Sequence, residues 1–509
     1  MLHNMKKHDY QCPAPVDKKK QYRVLITTDL EVDDMNGILL TLMYANDYDI
    51  AGLVWTAGMF HFNGDGKCTL GDITQNWRCQ ATHVEHTIAN PGELKEFRPV
   101  DPHWLERIID VYYRHDYKWL SKNDPNYPTP EYLLSVTKTG NVAFESDYRY
   151  DTEGSDWIKQ CMLDDDMRPL YIQHWGGINT TVRALVSIYE TYHDTPEWET
   201  VLNRVVSKVR LQGSGEDNCR ADSKIDEMFP GLQDANYFGW GGYGQFFSAA
   251  KNDDFMPPMM RTPEELKPYY KAEWLIDAFK FNHGAVMGQF HLRDDGVPIW
   301  GEPYGYQYGM QDYIDWAGMA EEGYDDPAKV GHYPKIFFNR MDWMCCQFVT
   351  ACFVDIGLRL GIANRETKYS KILFEEIAAR ADWAILPPEY CNHAPVVRAD
   401  VLDHTAKAGE TVSLSASVSD PDGDEYGIEW WIPDMAVPAE GNGGGMFGMR
   451  MPTLKKVEAE LNVSADGTAA QFTVPADAKP GDRYVINLEV RDVAERPMTR
   501  FAQFTVTVA

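Results

Sequence analysis

The 509-residue sequence is short of basic residues, with 48 Lys and Arg against 77 Asp and Glu, and its formal net charge at pH 7 is -29. A surface with this charge repels phosphate backbones and anionic lipid headgroups. We therefore expect neither a nucleic acid nor a membrane as a partner. A neutral ligand rich in hydroxyl groups, such as a sugar, is compatible with the charge.

Long hydrophobic runs and paired cysteines are also missing. No run of about 18 apolar residues occurs, so no membrane-spanning helix is predicted. The first residues, MLHNMKKHDYQ, lack the apolar core of a secretory signal. None of the nine cysteines belongs to a C-x-x-C pair, which argues against a zinc knuckle or a dithiol redox motif. Cys345, Cys346 and Cys352 lie in an apolar stretch and are expected to be buried free thiols.

Apolar and aromatic residues, by contrast, are plentiful. The chain is 44% hydrophobic and contains 15 Trp and 28 Tyr. This composition can form a large core, and the length allows on the order of two or three domains. Most of the aromatic rings should pack in the core, and a minority are available to stack on sugar rings.

Residues 22–42 read YRVLITTDLEVDDMNGILLTL and combine a strand, a turn and a helix. The apolar run Val24–Ile26 predicts a buried strand, and the spacing of apolar residues from Met35 to Ala45 predicts a helix. The turn between them holds four carboxylates, Asp29, Glu31, Asp33 and Asp34. They follow the carboxyl end of the first strand, which is where open α/β sheets bind ligands.

Carboxylates this close together repel one another unless a cation or a set of donors neutralises them. Ligands that are all oxygen suit a hard divalent ion, and Ca²⁺ is favoured over Mg²⁺ when the coordination number is high. The alternative is an acidic helix start, in which Asp33 or Asp34 caps the helix and the other acids are solvated. The composition of the turn leaves both interpretations open.

The segments that follow alternate between strand and helix patterns. Asp49–Thr56 predicts a second strand, which completes a βαβ unit and implies a parallel sheet. Further strands are predicted at 168–175 and 205–212, and helices at 102–121, 129–139, 181–191, 263–281, 336–360 and 369–386. Ser155 is predicted to cap a helix that begins at Asp156, with substrate contact by Asp156 as the alternative.

Polar residues also follow the later strands. His174 and Asn179 lie at a glycine-rich turn after strand 168–175, and Asp217 and Asn218 follow strand 205–212. Because the carboxyl ends of parallel strands share one edge of a sheet, these four residues are candidate substrate ligands. A structural role is the alternative for His174. The irregular stretch 57–100 is predicted to border the same site.

From Asn392 the pattern changes to regularly spaced short strands with alternating polarity, which predicts an immunoglobulin-like β-sandwich. The loop Asp420–Asp424, with sequence DPDGD, is either a Ca²⁺-binding loop or a plain turn. Trp430 and Trp431 must point to opposite faces if they share a strand. The expected domains are an N-terminal arm over 1–20, an α/β domain over 21–390 and the sandwich over 391–509.

The segment TTDLEVDD resembles the amino-terminal motif D-x-D-x-x-x-D-D of the nucleoside hydrolases. It resembles more closely the nucleoside hydrolase-like domain of the Sde182-type cellulose-binding proteins. The stretch ARADW, which ends at Trp383, is similar to the end of that family's first domain. The resemblance implies an α/β fold with a mainly parallel sheet and flanking helices, followed by an immunoglobulin-like β-sandwich.

By position, the resemblance implies that Asp29 is the general base and a metal ligand, that Asp33 holds sugar hydroxyls and that Asp34 binds the metal. A carbonyl at the end of a later strand, that of Trp175 or a neighbour, is implied to complete a Ca²⁺ shell. Glu31 is an additional acid that we assign to substrate binding. The first acid of the motif is absent, because Thr27 occupies its place.

Near residue 302 the family commonly has a GDTPS motif, whose place is taken here by Gly301-Glu302-Pro303-Tyr304. Glu302 is therefore the implied last metal ligand. Gly301 stands where some nucleoside hydrolases have the histidine that protonates the leaving base, which argues against nucleosides as substrates. His283 and His291 are candidate replacements.

These features predict a calcium-dependent, glycosidase-like hydrolase of the EC 3.2 type, which uses a metal-bound water and Asp29 as the base. The expected partner is a carbohydrate or a nucleoside-like small molecule, and the bond is an N- or O-glycosidic bond of a furanoside or a plant-polysaccharide fragment. The alternatives are a non-catalytic cellulose- or carbohydrate-binding protein and a structural interaction module. The resemblance implies a secreted or periplasmic location; a cytoplasmic location and a homo-oligomer stay open.

Overall fold

The computed structural model describes residues 5–30, 32–58, 61–73, 91–97, 99–212, 219–234, 274, 276–290, 367–432, 435–437, 453–455 and 457–509. The chain divides into two compact units. One, the α/β unit, comprises residues 15–118 and 126–352, and the other, the β unit, comprises residues 1–14, 119–125 and 353–509. These boundaries differ from the expected domains, because residues 1–14 and the helix Thr367–Trp383 belong to the β unit.

The α/β unit contains a parallel sheet that, in the described residues, has six strands in the order β3-β2-β1-β4-β5-β6. The strands are β1 (Tyr22–Thr28), β2 (Tyr48–Trp55), β3 (Thr137–Thr139), β4 (Leu170–His174), β5 (Val209–Gln212) and β6 (Gln233–Asp234). Strand order reverses at β1, which pairs with β2 on one side and with β4 on the other. Ligands of such sheets bind outside the strand ends at this switch point. The predicted parallel α/β fold is confirmed.

The helices that precede residue 353 within the described ranges are α1 (Val32–Met43), α2 (Leu70–Ile73), α3 (Trp104–Arg107), α4 (Arg114–Asn123), α5 (Pro130–Val136), α6 (Glu153–Leu163), α7 (Asn179–Tyr192), α8 (Trp198–Lys208), α9 (Cys219–Ser223) and α10 (Ile225–Met228). Two π-helical turns span Ile108–Tyr113 and Ile276–Lys280. Short 3₁₀ turns of the whole chain span Lys18–Lys20, Pro91–Glu93, Met287–Gln289 and Pro388–Tyr390.

Strand β1 is the centre of this unit. Val24, Leu25 and Ile26 are all at most 4% exposed, because helices cover both faces of a central parallel strand. One large apolar cluster joins the sheet to helices α6, α7 and α8, and it includes Leu25 and Ile172 from adjacent strands. The apolar run in the sequence therefore predicted the correct strand and its burial.

The fourth predicted strand is only half correct. Residues Val205–Lys208 end helix α8, and the strand is limited to Val209–Gln212. The apolar residues Trp198, Val201, Leu202 and Val205 follow helical spacing, so the helix continues into the β-branched run. The helix pattern set upstream outweighs the local strand preference of the two valines.

The predicted helix cap at Ser155 is wrong by three residues. Helix α6 begins at Glu153, and Thr152 is its N-cap. The Thr152 hydroxyl accepts a hydrogen bond from the Ser155 backbone N–H (3.1 Å), while the Ser155 hydroxyl accepts one from the Thr152 backbone N–H (2.8 Å). This reciprocal pair is a capping box in which serine takes the usual place of glutamate.

The described strands of the β unit are β7 (Val396–Arg398), β8 (Asp403–Ala406), β9 (Thr411–Ser415), β10 (Ser417–Ser419), β11 (Tyr426–Trp431), β12 (Met435–Val437), β13 (Thr453–Lys455), β14 (Glu460–Val463), β15 (Ala469–Thr473), β16 (Arg483–Asp492) and β17 (Thr499–Val508). They form sheets ordered β11-β16-β17-β8, β14-β15-β9, β10-β7 and β12-β13. All pairings are antiparallel except that of β17 with β8. This strand-rich architecture agrees with the predicted β-sandwich.

The two tryptophans of β11 face opposite ways, as predicted. Trp430 is 9% exposed and stacks on Phe504, with 5.3 Å between ring centroids. Trp431 is half-buried, and its indole N–H donates to Glu489 at 3.1 Å. Trp430 therefore belongs to the core of the sandwich, whereas Trp431 lies on its other face.

Helix α11 (Thr367–Trp383) is tied to strands β16 and β17 by ion pairs. Glu376 is buried and pairs with Arg380 on its own helix (2.8 Å) and with Arg500 on β17 (2.9 Å). Glu375 pairs with Arg491 on β16 at 2.8 Å. Because these partners are distant in sequence, the contacts explain why this helix groups with the β unit.

The described cysteines, Cys12, Cys68, Cys161, Cys219 and Cys391, are free thiols. Cys345, Cys346 and Cys352 lie outside the described residues, so their expected burial stays a prediction. Among the helices that the structure describes, none combines the length and the apolar character needed to cross a membrane.

The charge of Glu376 should make the β unit sensitive to acid. Burial raises the pKa of Glu376, but the positive charges of Arg500 and Arg380 outweigh burial and hold that pKa below its ordinary value. The folded state therefore binds this proton less readily than the unfolded state, so the pair stabilises the fold above about pH 4.3, the unfolded pKa. That contribution is lost as the pH falls through the folded pKa.

We expect Glu376→Gln to lower the free energy of unfolding of the β unit by about 3 kcal/mol at pH 7, because the buried Arg380 and the half-buried Arg500 lose their counter-charge. The difference from wild type should shrink at pH 4. Urea unfolding followed by tryptophan fluorescence at both pH values measures it, with the exposed Glu425→Gln as the control. An equal loss at the two pH values would contradict the ion-pair account.

Candidate functional site at the strand ends

Main-chain hydrogen bonds join the end of β1 and the turns that follow β2 and β4. The backbone N–H of Trp175 donates to the carbonyl of Thr27 (2.9 Å), and that of Gly177 donates to the carbonyl of Ala57 (3.0 Å). Three segments that are distant in sequence thus meet at the switch point of the sheet. The structure places the acidic turn at the centre of this meeting point.

Asp29 lies between the ends of the two neighbouring strands and is 1% exposed. A Cβ atom added to Gly58 would lie 2.0 Å from the Asp29 Oδ2, and one added to Gly176 would lie 2.7 Å from the Asp29 Cβ. Only glycine at both positions leaves room for this carboxylate. Asp29 and the turn that contains Gly176 therefore lie side by side.

Asp34 is the second buried acid of the turn, at 3% exposure in the first turn of helix α1. Its Oδ1 accepts a hydrogen bond from the Thr28 hydroxyl at 2.7 Å, and the Thr28 hydroxyl in turn accepts one from the Leu30 N–H at 3.1 Å. Leu30 has a left-handed backbone, with φ at 62°. Because Asp29 is buried, the alternative in which it is solvated does not hold; Asp34 lies within the first helical turn.

Asn179 is fully buried at the start of helix α7. Its Oδ1 accepts a hydrogen bond from the Thr56 hydroxyl at 2.5 Å, and its Nδ2 donates to the carbonyls of Asn141 (2.8 Å) and Asp147 (3.1 Å). The side chain therefore holds the 141–147 loop against the end of β2. Its role as a substrate ligand stays a prediction.

Strand β4 ends at His174, Trp175 follows it, and both residues are buried. The Nε2 of His174 lies 2.9 Å from the Thr181 hydroxyl, and the indole N–H of Trp175 donates to the Gln173 Oε1 at 3.1 Å. The His174 contact fits the structural alternative, in which the ring anchors β4 to helix α7. The main-chain carbonyl of Trp175 stays the implied metal ligand.

The remaining predicted residues can be placed only in part. Asp33 lies in helix α1, but its side chain lies outside the described residues. Glu31, Asp217, Asn218, Glu302 and His291 also lie outside them. His283 is described: its Nε2 lies 3.0 Å from the Asp277 carbonyl, and the side chain is buried. The roles assigned to these residues stay predictions.

Several residues that shape the site were not predicted. Thr28 orients Asp34, Thr56 orients Asn179, and Gly58 makes room for Asp29. The signal in the sequence was a glycine shortly after a strand end, Gly58 in WTAG and Gly176 in HWGG. Only a residue without a side chain admits such a close approach. The threonines carried no signal in sequence, since their partners are set by the register of the strands.

The residues present fit a hard divalent cation. The donors that meet here are carboxylate and carbonyl oxygens, which Ca²⁺ prefers. The two carboxylates are almost fully buried, a state that is costly unless their charge is compensated. The Thr27 hydroxyl, near the end of the same strand β1, is also buried and makes no hydrogen bond with any described residue.

Comparison with known proteins identifies relatives of both units. A family model for the cellulose-binding Sde182 nucleoside hydrolase-like domain matches residues 23–332, and one for the C-terminal domain of cellulose-binding protein Sde0182 matches residues 411–508. No curated protein matches the chain.

Two solved structures match the chain over very different lengths. A nucleoside hydrolase-related protein from Saccharophagus degradans, described as associated with carbohydrate metabolism, is 22% identical with a TM-score of 0.56. That match covers 96% of this chain and 100% of the other, and at this identity it shows a shared fold alone. Domain 1 of VCBP3 from Branchiostoma floridae is 16% identical over 23% of this chain and 96% of its own, and its TM-score of 0.15 is too low to indicate a shared fold.

The close fit of Asp29 can be tested by adding one methyl group. We expect Gly58→Ala and Gly176→Ala each to lower the free energy of unfolding by roughly 2 kcal/mol, because the new Cβ overlaps Asp29. Gly288→Ala is the matched control, since a Cβ there has no heavy atom within 4 Å. Chemical denaturation of the three variants measures the effect. Equal stability of all three would show that Asp29 is not confined as described.

Proposed function

The chain belongs to the family of cellulose-binding Sde182 proteins with a nucleoside hydrolase-like domain, and from this membership we propose that it is a calcium-dependent hydrolase of glycosidic bonds. The substrate class is a carbohydrate, either a furanoside or a fragment of a plant polysaccharide. Neutral sugars are also compatible with the net charge of -29, which disfavours anionic ligands.

The observation that carries the proposal is the burial of two carboxylates, Asp29 and Asp34, on one turn at the switch point of the sheet. Two buried negative charges in one short segment are unfavourable without a compensating positive charge. A divalent cation supplies that compensation. A substrate that develops positive charge would also be stabilised here, as a sugar does during glycosidic cleavage.

In the proposed site Asp29, Asp34 and the carbonyl of Trp175 hold the cation, and Glu302 completes the ligand set. When bound, Ca²⁺ would orient sugar hydroxyls and lower the pKa of a coordinated water. Asp29 accepts the proton of the attacking water as the general base, and it is held in place by Gly58 and Gly176. Thr28 keeps Asp34 oriented through its 2.7 Å hydrogen bond.

The sequence at residue 301 bears on the leaving group. Gly301 cannot donate a proton to a departing nucleobase. We therefore expect substrates whose leaving group needs no protonation, such as nitrophenyl furanosides, to be cleaved faster than purine nucleosides.

A second candidate function is carbohydrate binding without turnover. Both family models describe cellulose-binding proteins, and a fold shared with hydrolases does not by itself imply activity. In this case the acidic turn still holds a cation and a sugar, but Asp29 removes no proton.

Calcium-dependent melting and turnover together test the proposal. We expect Ca²⁺ to raise the melting temperature of the EDTA-treated wild type and to have no effect on Asp34→Asn. Asp29→Asn should reduce kcat on a panel of nitrophenyl furanosides by about 10²- to 10⁴-fold, which is the usual contribution of a general base. Asp165→Asn is the control, because that carboxylate is fully exposed in the same unit.

The outcomes separate the candidates. Calcium-dependent melting with sugar turnover supports the hydrolase. Calcium-dependent melting and retention on insoluble cellulose, with no turnover of any panel member, supports the binding protein. Melting that is indifferent to Ca²⁺ in wild type would overturn the metal site at the acidic turn.

A further inference from the structure

A group of histidine and aspartate side chains, the residue types that ligate metals, lies in the β unit and does not belong to the strand-end site. The loop Asp420–Asp424 is met by the N-terminal segment: the backbone N–H of Gln11 donates to the carbonyl of Pro421 at 2.8 Å. This contact brings His8 to the loop. One ligand atom each of His8, Asp422 and Asp424 lies within 4.8 Å of the others.

Three polar atoms of this group are buried and make no hydrogen bond with the described residues. They are the Nδ1 of His8, the Oδ2 of Asp424 and the Oδ2 of Asp420. The side chains of His8 and Asp424 are only 9% and 4% exposed, and their two atoms face each other at 3.4 Å. Buried polar atoms without hydrogen bonds are costly, so an arrangement of several at one point indicates a missing ligand.

The acids are also held in place by their neighbours. Both oxygens of Asp422 are oriented by His393, whose backbone N–H (2.6 Å) and Nδ1 (2.9 Å) approach them. The Oδ1 of Asp420 accepts the backbone N–H groups of Asp422 (2.9 Å) and Asp424 (3.0 Å). Such outer hydrogen bonds commonly orient the ligands of a metal site.

The charges of the loop acids also act on a buried acid outside the loop. Burial raises the pKa of Asp492 to about 7, and the charges of Asp420 and Asp424 add to the shift against the hydrogen bonds from Asn392 and Met498. Lys6 contacts Asp424, but its own side chain is 66% exposed. A single exposed ammonium compensates one of the three acids in the loop.

We propose that His8, Asp422 and Asp424, with Asp420 beside them, bind a divalent transition-metal ion of the Zn²⁺ or Mn²⁺ type. In a shell with metal–ligand distances of about 2.0 to 2.2 Å, two ligand atoms lie at most about 4.4 Å apart. The observed group, within 4.8 Å, needs only a small contraction to reach that shell. Lys6 leaves Asp424 when the ion binds.

The histidine decides the class of metal. Carboxylates alone suit Ca²⁺ and Mg²⁺, whereas imidazole nitrogen combined with carboxylate oxygen suits zinc and neighbouring first-row ions. The ion would also clip the N-terminal segment to the 420–424 loop, since His8 and its partner acids come from opposite ends of the sequence.

Zinc binding by untagged protein tests the proposal. We expect isothermal titration of EDTA-treated wild type with Zn²⁺, and separately with Mn²⁺, to show one site that raises the melting temperature. His8→Gln and Asp424→Asn should each weaken binding at least tenfold. Lys6→Ala is the informative control: it removes the competing cation, so it should bind Zn²⁺ as tightly as wild type or more tightly.

A second measurement reports position. Hydrogen exchange of residues 5–14 should slow on Zn²⁺ addition in wild type and in Asp34→Asn, but not in His8→Gln. Absence of Zn²⁺ and Mn²⁺ binding by a folded wild type would overturn the proposal, as would unchanged binding in His8→Gln. Binding of Ca²⁺ alone would also overturn it, because the histidine would then have no part. The Asp34→Asn variant separates this site from the strand-end calcium site, so either can fail alone.

Discussion

The α/β unit depends on one constraint, the enclosure of the Asp29 carboxylate between the ends of two strands. Two glycines leave it just enough space, and the main chain of the β4 turn is bonded directly to β1. A buried charge in a packed site cannot shift to relieve repulsion from its neighbour Asp34. In the proposed calcium site, these carboxylates would therefore be held in position before an ion arrives.

Much of this architecture could be predicted from the sequence. The apolar run before Asp29 predicted the central strand, and the residues after the acids predicted the helix that follows it, because both depend on short-range patterns. Prediction failed where two patterns competed, as at residues 205–208, where a helix begun at Trp198 continues through β-branched residues. Prediction was also incomplete for contacts that depend on how the strands align. The hydrogen bonds from Thr28 to Asp34 and from Thr56 to Asn179 are of this kind.

The buried charge of helix α11 in the β unit is compensated differently from that of the strand-end site. The α/β site buries two carboxylates, Asp29 and Asp34, on one short segment, whereas on helix α11 the buried Glu376 pairs with Arg380 and Arg500. Paired charges of this kind hold a helix on a sheet. They neutralise each other, so no bound ion is needed to compensate them. The loop at Asp420–Asp424 departs from this pattern, because its acids meet an exposed lysine and a histidine rather than arginine.

The N-terminal segment has a consequence for the order of events during synthesis. Residues 5–14 are made more than 400 residues before the loop that they contact, around Asp422. At about 5–20 residues per second, this segment waits roughly 20–80 s for its partner. The β unit therefore completes its folding only after the 420–424 loop has been translated, and its N-terminal segment is still unattached while residues 15–352 are being made.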